Sequence, residues 1–336
     1  MSRSVLITAA SRRVPLVQAF QRALAESGRG GAVVVTDVNP LSPAVYVADQ
    51  AFRVPLATDP GYIDQIMTIA VAESVGLVIP TIDDELPVFG RALDRFAERG
   101  ICVAVSAADT TELCDDKHRT CLTLSAQGIA AAPSWLPGSL PADPPFPLFI
   151  KPRRGRGGVG AYAVRNRREL EFFVDYVPDP VVQAYLDGPE FTIDMLCDFG
   201  GRPLSVVPRR RDVIRAGVID RGCTVRDARL IDLALACAGA LSLVGAVNIQ
   251  CRIVDGRPVV FEINPRFSGG IPLTIAAGAD FPRMLLDLAW GRPVRPAVGR
   301  FRDGLWMTSF ESSFFLDESC VALPAHAPAA SVEAVA

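Results

Sequence analysis

The chain has 336 residues, of which 50% are hydrophobic and 21% are charged, and its formal net charge at pH 7 is -3. This length predicts about two domains, each large enough to bury a core. A nearly neutral chain has no overall positive field that would recruit nucleic acid or an anionic membrane, so we expect neither as a partner.

The eight cysteines are spaced singly, without a Cys-x-x-Cys pair, and the two histidines are His118 and His326. Free thiols within apolar runs, such as Cys102, behave as small hydrophobic side chains. The N-terminal residues lead directly into a strand pattern, and no window of about 18 apolar residues occurs. We therefore expect reduced, structural cysteines and a cytoplasmic protein without a membrane segment.

The first 110 residues alternate short β-branched runs with amphipathic helical patterns. Strands buried on both faces and joined by helices are typical of a parallel sheet in an α/β, Rossmann-like domain. Polar residues at the carboxyl edge of such a sheet are candidates for substrate contacts. The predicted strands are 5–9, 32–36, 77–80 and 101–105, and the predicted helices are 14–26, 61–74 and 84–99.

The carboxyl edge of this predicted sheet carries residues 8–13, Asp37 and residues 81–85. A dinucleotide-binding interpretation would use Asp37 for a ribose, but the first turn has no glycine that would let the backbone approach a pyrophosphate. For single residues the alternative stays open that Asp83 or Asp84 only caps a helix and that Arg12 is solvated.

The remaining chain predicts an α+β arrangement. Residues 109–127 form a helical pattern that Gly128 ends, and the proline-rich segment 132–147 is expected to be a connection. The tail at 321–336 is rich in alanine and proline and is predicted to be disordered. The predicted strands are 148–151, 161–164, 181–186, 191–197, 203–208, 246–254 and 259–263, with helices at 168–176 and 227–243.

A glycine-rich loop follows Lys151 and formally matches G-x-G-x-x-G. Rossmann and P-loop glycine turns lead into a helix, whereas residues 161–164 continue as a strand and no Gly-Lys-Ser/Thr occurs. The pattern therefore predicts a β-hairpin that folds over phosphates and donates backbone N–H groups to them. A flexible surface hairpin is the alternative.

Oxygen-bearing side chains occur along a second predicted hairpin. Glu262 and Asn264 are two residues apart and share one face of a strand. Gln250 joins that face only if the connection at Asp255 and Gly256 has an odd number of residues or the hairpin has a bulge, because a two-residue turn would set Gln250 opposite Phe261. One carboxylate with two amide oxygens suits a hard cation that also binds phosphates. A solvated sheet face is the alternative.

An extended segment at 182–192 runs into a turn, and such a segment can present backbone groups to an adenine edge. Glu190, just beyond the turn, could accept hydrogen bonds from ribose hydroxyls. Taken alone, this segment is an ordinary strand with a turn. Together with the two hairpins it predicts a site for magnesium and a nucleoside triphosphate.

These motifs, in this order, resemble the ATP-grasp enzymes over about residues 1 to 315. The pattern is most similar to the ATP-grasp half of the carbamoyl-phosphate synthetase large subunit and to related stand-alone amino-acid ligases. The resemblance implies the ATP-grasp fold, with a Rossmann-like preATP-grasp domain at 1–110, a lid subdomain with the glycine loop at 111–180, and an antiparallel-sheet subdomain with the metal site at 181–320.

The resemblance also implies roles for particular residues, with ATP and Mg²⁺ (or Mn²⁺) as cofactors. Gly158 stands where relatives often carry serine, and Gln250 stands where many amino-acid ligases place aspartate, which favours the carbamoyl-phosphate synthetase branch. Arg215, from the basic run 209–215, is the candidate for a substrate-side arginine, with a solvated strand end as the alternative. The implied positions are Lys117, Lys151, Gly155, Gly157 and Gly158 for the phosphates, Gln183, Ala184, Tyr185, Leu186 and Phe261 for adenine, Glu190 for the ribose, Gln250, Glu262 and Asn264 for the metal, and Arg266 for the transferred phosphoryl group.

The sequence thus predicts an ATP-dependent carboxylate-amine ligase that works through an acyl phosphate and releases ADP and phosphate, with Arg266, Lys151 and Arg215 as catalytic residues. The expected partners are small-molecule acids and amines, amino acids among them, and the chain is expected to form a homodimer. Two alternatives stay open: phosphorylation of bicarbonate or carbamate, and a nucleotide-binding regulatory protein without turnover.

Overall fold

The computed structural model describes residues 3–28, 30–155 and 157–317 of the chain. In these residues the strands form three sheets, of five, four and six strands. The predicted disordered tail at 321–336 lies outside the described residues. Among the described residues, no helix is both long and apolar enough to cross a membrane.

The N-terminal sheet is parallel, with strand order β3-β2-β1-β4-β5. Helices cover both faces because its strands are apolar on both sides, which confirms the predicted α/β domain. Strand β3 was not predicted, since its short sequence at the sheet edge has no continuous apolar run. The elements are β1 Ser4–Ile7, α1 Val14–Ser27, β2 Val33–Asp37, β3 Gln50–Arg53, α2 Tyr62–Ala72, β4 Val75–Ile79, α3 Leu86–Arg91, α4 Leu93–Ala97 and β5 Cys102–Val103.

Two predicted helices are broken in the structure. The predicted helix 84–99 is divided at Ala92, between α3 and α4. The predicted helix 109–127 is divided at Asp116 into α5 (Ala108–Asp115) and α6 (Lys117–Ala126). Asp116 is extended (φ -87°, ψ 97°), and its side chain caps α6 by accepting from the Arg119 N–H. The same carboxylate binds Arg153 through Nε (2.9 Å) and Nη2 (2.6 Å). A single helix was the wrong prediction, since the extended Asp116 ends α5 and its carboxylate both caps α6 and pairs with Arg153.

The small sheet contains the glycine-rich hairpin. Strands β7 and β8 pair antiparallel, with Leu148 opposite Val164, as predicted for this segment. Strand β9 extends the sheet to Ala184, beyond the division predicted at residue 180. The sheet order is β6-β9-β7-β8, and its elements are β6 Ser134–Trp135, β7 Leu148–Pro152, β8 Tyr162–Val164, α7 Arg167–Tyr176 and β9 Pro180–Ala184.

The large sheet is antiparallel, as predicted, with order β14-β13-β10-β11-β12-β15. One face packs against α8. Residues of the other face, such as Leu204 and Val207, share a core with β1 and α1 of the N-terminal domain, so the two sheets are joined through packed apolar side chains. The elements are β10 Glu190–Cys197, β11 Pro203–Arg215, β12 Val218–Thr224, α8 Ala228–Leu241, β13 Gly245–Val254, β14 Arg257–Asn264, α9 Ile271–Ala276, α10 Phe281–Ala289 and β15 Trp306–Thr308.

The described cysteines are all free, and most are buried. Burial raises the pKa of the Cys114 thiol to about 12 and that of Cys121 to about 11. Because the thiolate is the reactive form, we predict that both resist iodoacetamide at pH 8 in the native protein and react after unfolding in guanidinium. Peptide mass spectrometry with and without guanidinium measures this difference. Equal labelling of Cys114 in both states would contradict the buried placement.

Candidate nucleotide and metal site

A β-bulge brings the predicted metal-binding residues to one face of the β13–β14 hairpin. Val254 pairs with Arg257 around a two-residue turn, in which Asp255 and Gly256 both have positive φ (48° and 77°). The register then shifts, so that Gln250 pairs with Glu262. Phe261 is the extra residue between two paired positions, and the predicted bulge is confirmed.

Amide groups surround the Glu262 carboxylate. Asn264 lies two residues further along β14 and donates through Nδ2 to Glu262 Oε1 at 3.1 Å. Asn248, opposite Asn264 in the sheet, donates through Nδ2 to the carbonyls of Asn264 and Arg266, both at 3.3 Å. Sequence analysis missed Asn248, although its spacing of two from Gln250 on the same strand was an available signal.

This set has one carboxylate and several amide oxygens. Among the described residues, no group of three or more His, Cys, Asp or Glu side chains is placed to hold a metal ion. A site for a thiolate- or imidazole-preferring metal is therefore not formed by these residues. Glu262 with Gln250 and Asn264 fits a hard cation whose remaining ligands are phosphate oxygens and water.

Two buried lysines approach this region from other elements. Lys151, at 6% exposure, has Nζ 3.8 Å from Glu262 Oε2 and 5.1 Å from the ring centre of Phe261. Lys117, also 6% exposed, donates from Nζ to the Gly155 carbonyl at 2.6 Å. Burial lowers the pKa of Lys151, the Glu262 carboxylate opposes this, and the Lys117 charge adds to the lowering. An anion placed between the two ammonium groups would stabilise both charges.

A cavity of about 340 Å³ lies between the small sheet and the large sheet. Its wall includes the predicted hinge and ribose residues, two glycines of the loop, and part of the predicted metal set. The lining residues are Phe149, Lys151, Gly157, Gly158, Ala161, Ala163, Gln183, Ala184, Tyr185, Leu186, Glu190, Arg211, Ile214, Gly217, Gln250, Arg252, Phe261 and Glu262. This volume and its mixed apolar and charged wall suit a small organic anion.

Within the hinge, the Gln183 side chain is buried at 2% exposure and donates to Cys121 Sγ at 3.3 Å. Tyr185 is 40% exposed at the rim of the cavity. In the loop, Gly157 and Gly158 have positive φ (72° and 69°), a conformation that is strained for other residues. A serine at position 158 would therefore be disfavoured in this loop conformation.

Glu190 already binds two guanidinium groups in the cavity wall. Arg211 Nη1 lies 2.8 Å from Glu190 Oε1, and Arg252 Nη2 lies 2.7 Å from Glu190 Oε2. Neither arginine was predicted for the site. The available signals were the spacing of two between Gln250 and Arg252 and the position of Arg211 within the basic run.

Arg266 joins the large sheet to the N-terminal domain. Its Nε and Nη2 donate to the Asp83 carboxylate at 3.0 and 2.8 Å, and Nη2 also approaches Asn264 Oδ1 at 3.3 Å. Asp83 stands at the carboxyl edge of the N-terminal sheet, where substrate contacts were expected. Arg13, from the same edge, donates to the carbonyls of Thr81 (2.6 Å) and Phe267 (3.1 Å).

Arg215 is the predicted catalytic residue that the structure places elsewhere. Its side chain is 60% exposed at the end of β11 and pairs with Glu311 at 3.1 Å. This position corresponds to the solvated strand end considered as the alternative. Arg211, four residues earlier on β11, lines the cavity, and the register of β11 against β12 shifts between the two arginines.

Comparison with known families identifies the two halves of the chain. Residues 176–312 match the family described as ATP-grasp in the biosynthetic pathway with Ter operon. Residues 5–104 match the PylC-like N-terminal domain.

Among curated proteins, the chain is similar to the carbamoyl phosphate synthase arginine-specific large chain of Geobacillus stearothermophilus, with 24% identity over 303 residues, 84% of this chain and 28% of that protein. The Bacillus subtilis counterpart is 24% identical over 247 residues, 68% of this chain and 23% of that protein. The chain thus spans about a quarter of the length of these relatives.

Solved structures show the same fold. The L-amino acid ligase from Bacillus licheniformis has a TM-score of 0.68 at 20% identity, covering 88% of this chain and 78% of that one. The N5-carboxyaminoimidazole synthetase from Staphylococcus aureus, in complex with ADP, has a TM-score of 0.70 at 14% identity, covering 89% and 80%. Biotin carboxylase from Campylobacter jejuni, in complex with β-γ-ATP, has a TM-score of 0.70 at 16% identity, covering 90% and 74%.

The fold is therefore the ATP-grasp fold. Residues 176–312 match an ATP-grasp family model and residues 5–104 a PylC-like N-terminal domain, and the chain is similar in sequence to carbamoyl phosphate synthase large chains.

Proposed function

We propose that this protein is an ATP-dependent ligase that joins a carboxylate to an amine through an acyl phosphate, with release of ADP and phosphate. The observation that supports this most is the cavity that places Lys151 and the glycine loop beside Glu262 and Gln250. Solved structures of the same fold include complexes with ADP and with magnesium ADP. ATP and Mg²⁺, or Mn²⁺ in its place, are the cofactors in this proposal.

Phosphoryl transfer requires positioning and cationic stabilisation more than covalent chemistry by the protein. Glu262, Gln250 and Asn264 would hold the metal ion, which supplies charge neutralisation for the triphosphate. Lys151 and Lys117 bind phosphate oxygens. Adenine lies against residues 183–186 and Phe261, and Glu190 accepts from the ribose.

Arg266 holds the phosphoryl group as a substrate carboxylate attacks it. The acyl phosphate then reacts with the amine, and the new C–N bond forms as phosphate leaves. Because water would hydrolyse the acyl phosphate, the glycine loop closes over the site during this step.

A second candidate is phosphorylation of bicarbonate or carbamate. The sequence relatives among carbamoyl phosphate synthase large chains favour it. Gln250 also favours this candidate. This neutral residue stands where the resemblance places aspartate in many amino-acid ligases.

A substrate panel separates these candidates. Purified protein is incubated with MgATP and pairs of amino acids, with single acids, and with bicarbonate alone, and ADP and phosphate are measured. Release that depends on an organic acid, with a hydroxamate formed when hydroxylamine replaces the amine, supports the ligase. Release with bicarbonate alone supports the second candidate, and AMP as product would contradict both.

The substrate class, the oligomeric state and the location are proposed as well. We expect amino acids as the acid and amine, a homodimer in solution, and a cytoplasmic location. Light scattering of the purified protein measures the oligomeric state.

Glu262→Gln tests the metal role. Loss of the single carboxylate of the set should lower ADP release by about 100-fold or more at 1 to 2 mM Mg²⁺ and raise the Mg²⁺ concentration needed for half-maximal rate. Binding of ADP without metal should change little, because Lys117 and Lys151 remain.

The matched control for this variant is Glu311→Gln, an exposed glutamate paired with Arg215 at the surface. It should retain the wild-type rate and metal dependence. An unchanged Mg²⁺ dependence in Glu262→Gln would argue against a metal at this position.

A further inference from the structure

The first three arginines of the basic run on β11 lie in three different environments. Arg209 is buried at 1% exposure and pairs with Asp194 at 2.7 Å. Arg210 is 38% exposed, pairs with Asp212 and lies 5.5 Å from the ring centre of Trp306. Arg211 faces the cavity. The last of these is a cation in the candidate nucleotide site to which sequence analysis assigned no role.

Arg211 is buried with one donor unused. Its side chain is 5% exposed, Nη1 pairs with Glu190 at 2.8 Å, and Nη2 donates to the Gly217 carbonyl at 2.7 Å. The Nε–H is buried and has no hydrogen-bond partner among the described residues. Since buried donors are almost always paired in folded proteins, an unpaired one in a cavity wall indicates a ligand that accepts from it.

Three basic and two acidic side chains line the cavity, a balance that favours an anionic ligand. Burial lowers the pKa of Arg211, with Arg209 and Arg252 adding to this, whereas Glu190 and Glu262 oppose it. Arg211 lines the same cavity as the glutamate proposed for the ribose and the glutamate proposed for the metal. The part of a nucleotide that lies between its ribose and its metal-bound end is the phosphate chain.

The same guanidinium holds a second loop over the cavity. The tip of the β11–β12 hairpin, at Ala216 and Gly217, has positive φ at both residues (46° and 75°). A Cβ atom on Gly217 would lie 2.7 Å from the backbone of Gly157, so the tip is in close contact with the glycine loop. Arg211, through the Gly217 carbonyl, links the cavity wall to this contact.

From these observations we infer that Arg211 binds the phosphate chain of the nucleotide through its unused Nε–H, while its Nη2 holds the 216–217 tip against the glycine loop. This inference rests on the proposed function, since it names a further residue of the same nucleotide site. It makes Arg211, and not Arg215, the arginine of the basic run that contacts a ligand.

Calorimetric titration with MgADP and with adenosine tests the inference without knowledge of the acid or the amine. Arg211→Gln should weaken MgADP binding by about 10- to 100-fold, the size expected for a charge-assisted hydrogen bond to phosphate. Adenosine, which has no phosphate, should bind within about twofold of wild type because Glu190 stays paired with Arg252. Arg211→Lys keeps the charge but loses the planar fork, and should lie between the two.

Arg210→Gln is the matched control, since it removes a neighbouring arginine from the opposite side of the same strand. It should bind MgADP as wild type does. The melting temperature of each variant without nucleotide shows whether the fold is retained, and adenosine binding reports directly on the cavity.

Three outcomes are distinguishable. Wild-type MgADP affinity in Arg211→Gln overturns the inference and leaves the proposed function standing. An equal loss for adenosine and MgADP also overturns it, because Arg211 would then act by shaping the ribose pocket through Glu190. If the wild-type protein binds no MgADP, the proposed function and the inference both fall.

Discussion

Arg266→Gln is expected to lower the rate of ADP release by about 1,000-fold or more while changing MgADP affinity by no more than about threefold. In the proposed reaction, Arg266 contacts the phosphoryl group only as it is transferred, so its loss affects the transition state more than the bound nucleotide. Its position supports this, since it follows Asn264 and faces the N-terminal sheet edge at Asp83. The rate is measured with the acid and amine that give the highest ADP release.

A variant of its partner Asp83 tests whether Arg266 has only a structural role. Asp83→Asn removes the negative charge that lies 2.8 Å from Arg266 Nη2, and so weakens the same ion pair. If Arg266 acts on the phosphoryl group, Asp83→Asn should cost far less rate than Arg266→Gln. Equal losses in the two variants would show that the pair matters only for joining the domains. Arg283→Gln, an arginine of α10 paired with Asp287, is the control for general loss of a charge.

Arg209→Met is expected to destabilise the fold by about 3 to 5 kcal/mol, because it leaves the Asp194 carboxylate buried without its cationic partner. Both side chains are 1% exposed, and Arg209 binds Asp194 through Nε (2.7 Å) and Nη2 (3.0 Å). The free energy of unfolding is measured by urea denaturation followed by circular dichroism.

The matched control is Arg202→Met, which removes an arginine that is 60% exposed and pairs with Asp198 at 3.1 Å. Its effect should be below about 1 kcal/mol, as for other surface pairs. The double variant Arg209→Met/Asp194→Leu should recover part of the lost stability, since no charge is then left unpaired. A loss in Arg209→Met as small as in the control would contradict the buried pair.

Local patterns in the sequence were sufficient to predict the motifs that lie on a single strand or hairpin. The period of two placed Glu262 and Asn264 on one face, and the strand after the glycine loop excluded a P-loop. A two-residue turn alone would have set Gln250 opposite Phe261. A metal site needs Gln250 on the face of Glu262, and this requirement predicted the bulge. These predictions depended on backbone geometry over a few residues.

Long-range contacts accounted for the failures. At the break in the predicted helix 109–127, Asp116 pairs with Arg153, which is distant in sequence. Asn248 has an ordinary strand position, and its role in supporting Asn264 and Arg266 exists only once β13 and β14 pair. Spacing put Asn248 on the same face as Gln250, but the local pattern could not reveal either long-range contact.

The arginines of residues 209–215 also show which features follow from the local pattern and which depend on tertiary structure. Run 209–215 was recognised as unusually basic, and alternation along a strand puts Arg209, Arg211 and Arg215 in register until a bulge intervenes. The register of β11 against β12 shifts after Arg211, and Arg215 ends at the exposed hairpin end while Arg211 remains in the cavity wall.

By itself, the sequence determined the alternation of buried and polar residues, and through it the α/β half, the antiparallel half and the faces that carry lysine, carboxylate and amide groups. Only the tertiary structure decided which of these groups meet: Arg266 with Asp83, Glu190 with Arg211 and Arg252, and Lys151 with Glu262. The physical reason is that periodicity follows from the geometry of one element, whereas charge pairing depends on how separate elements pack.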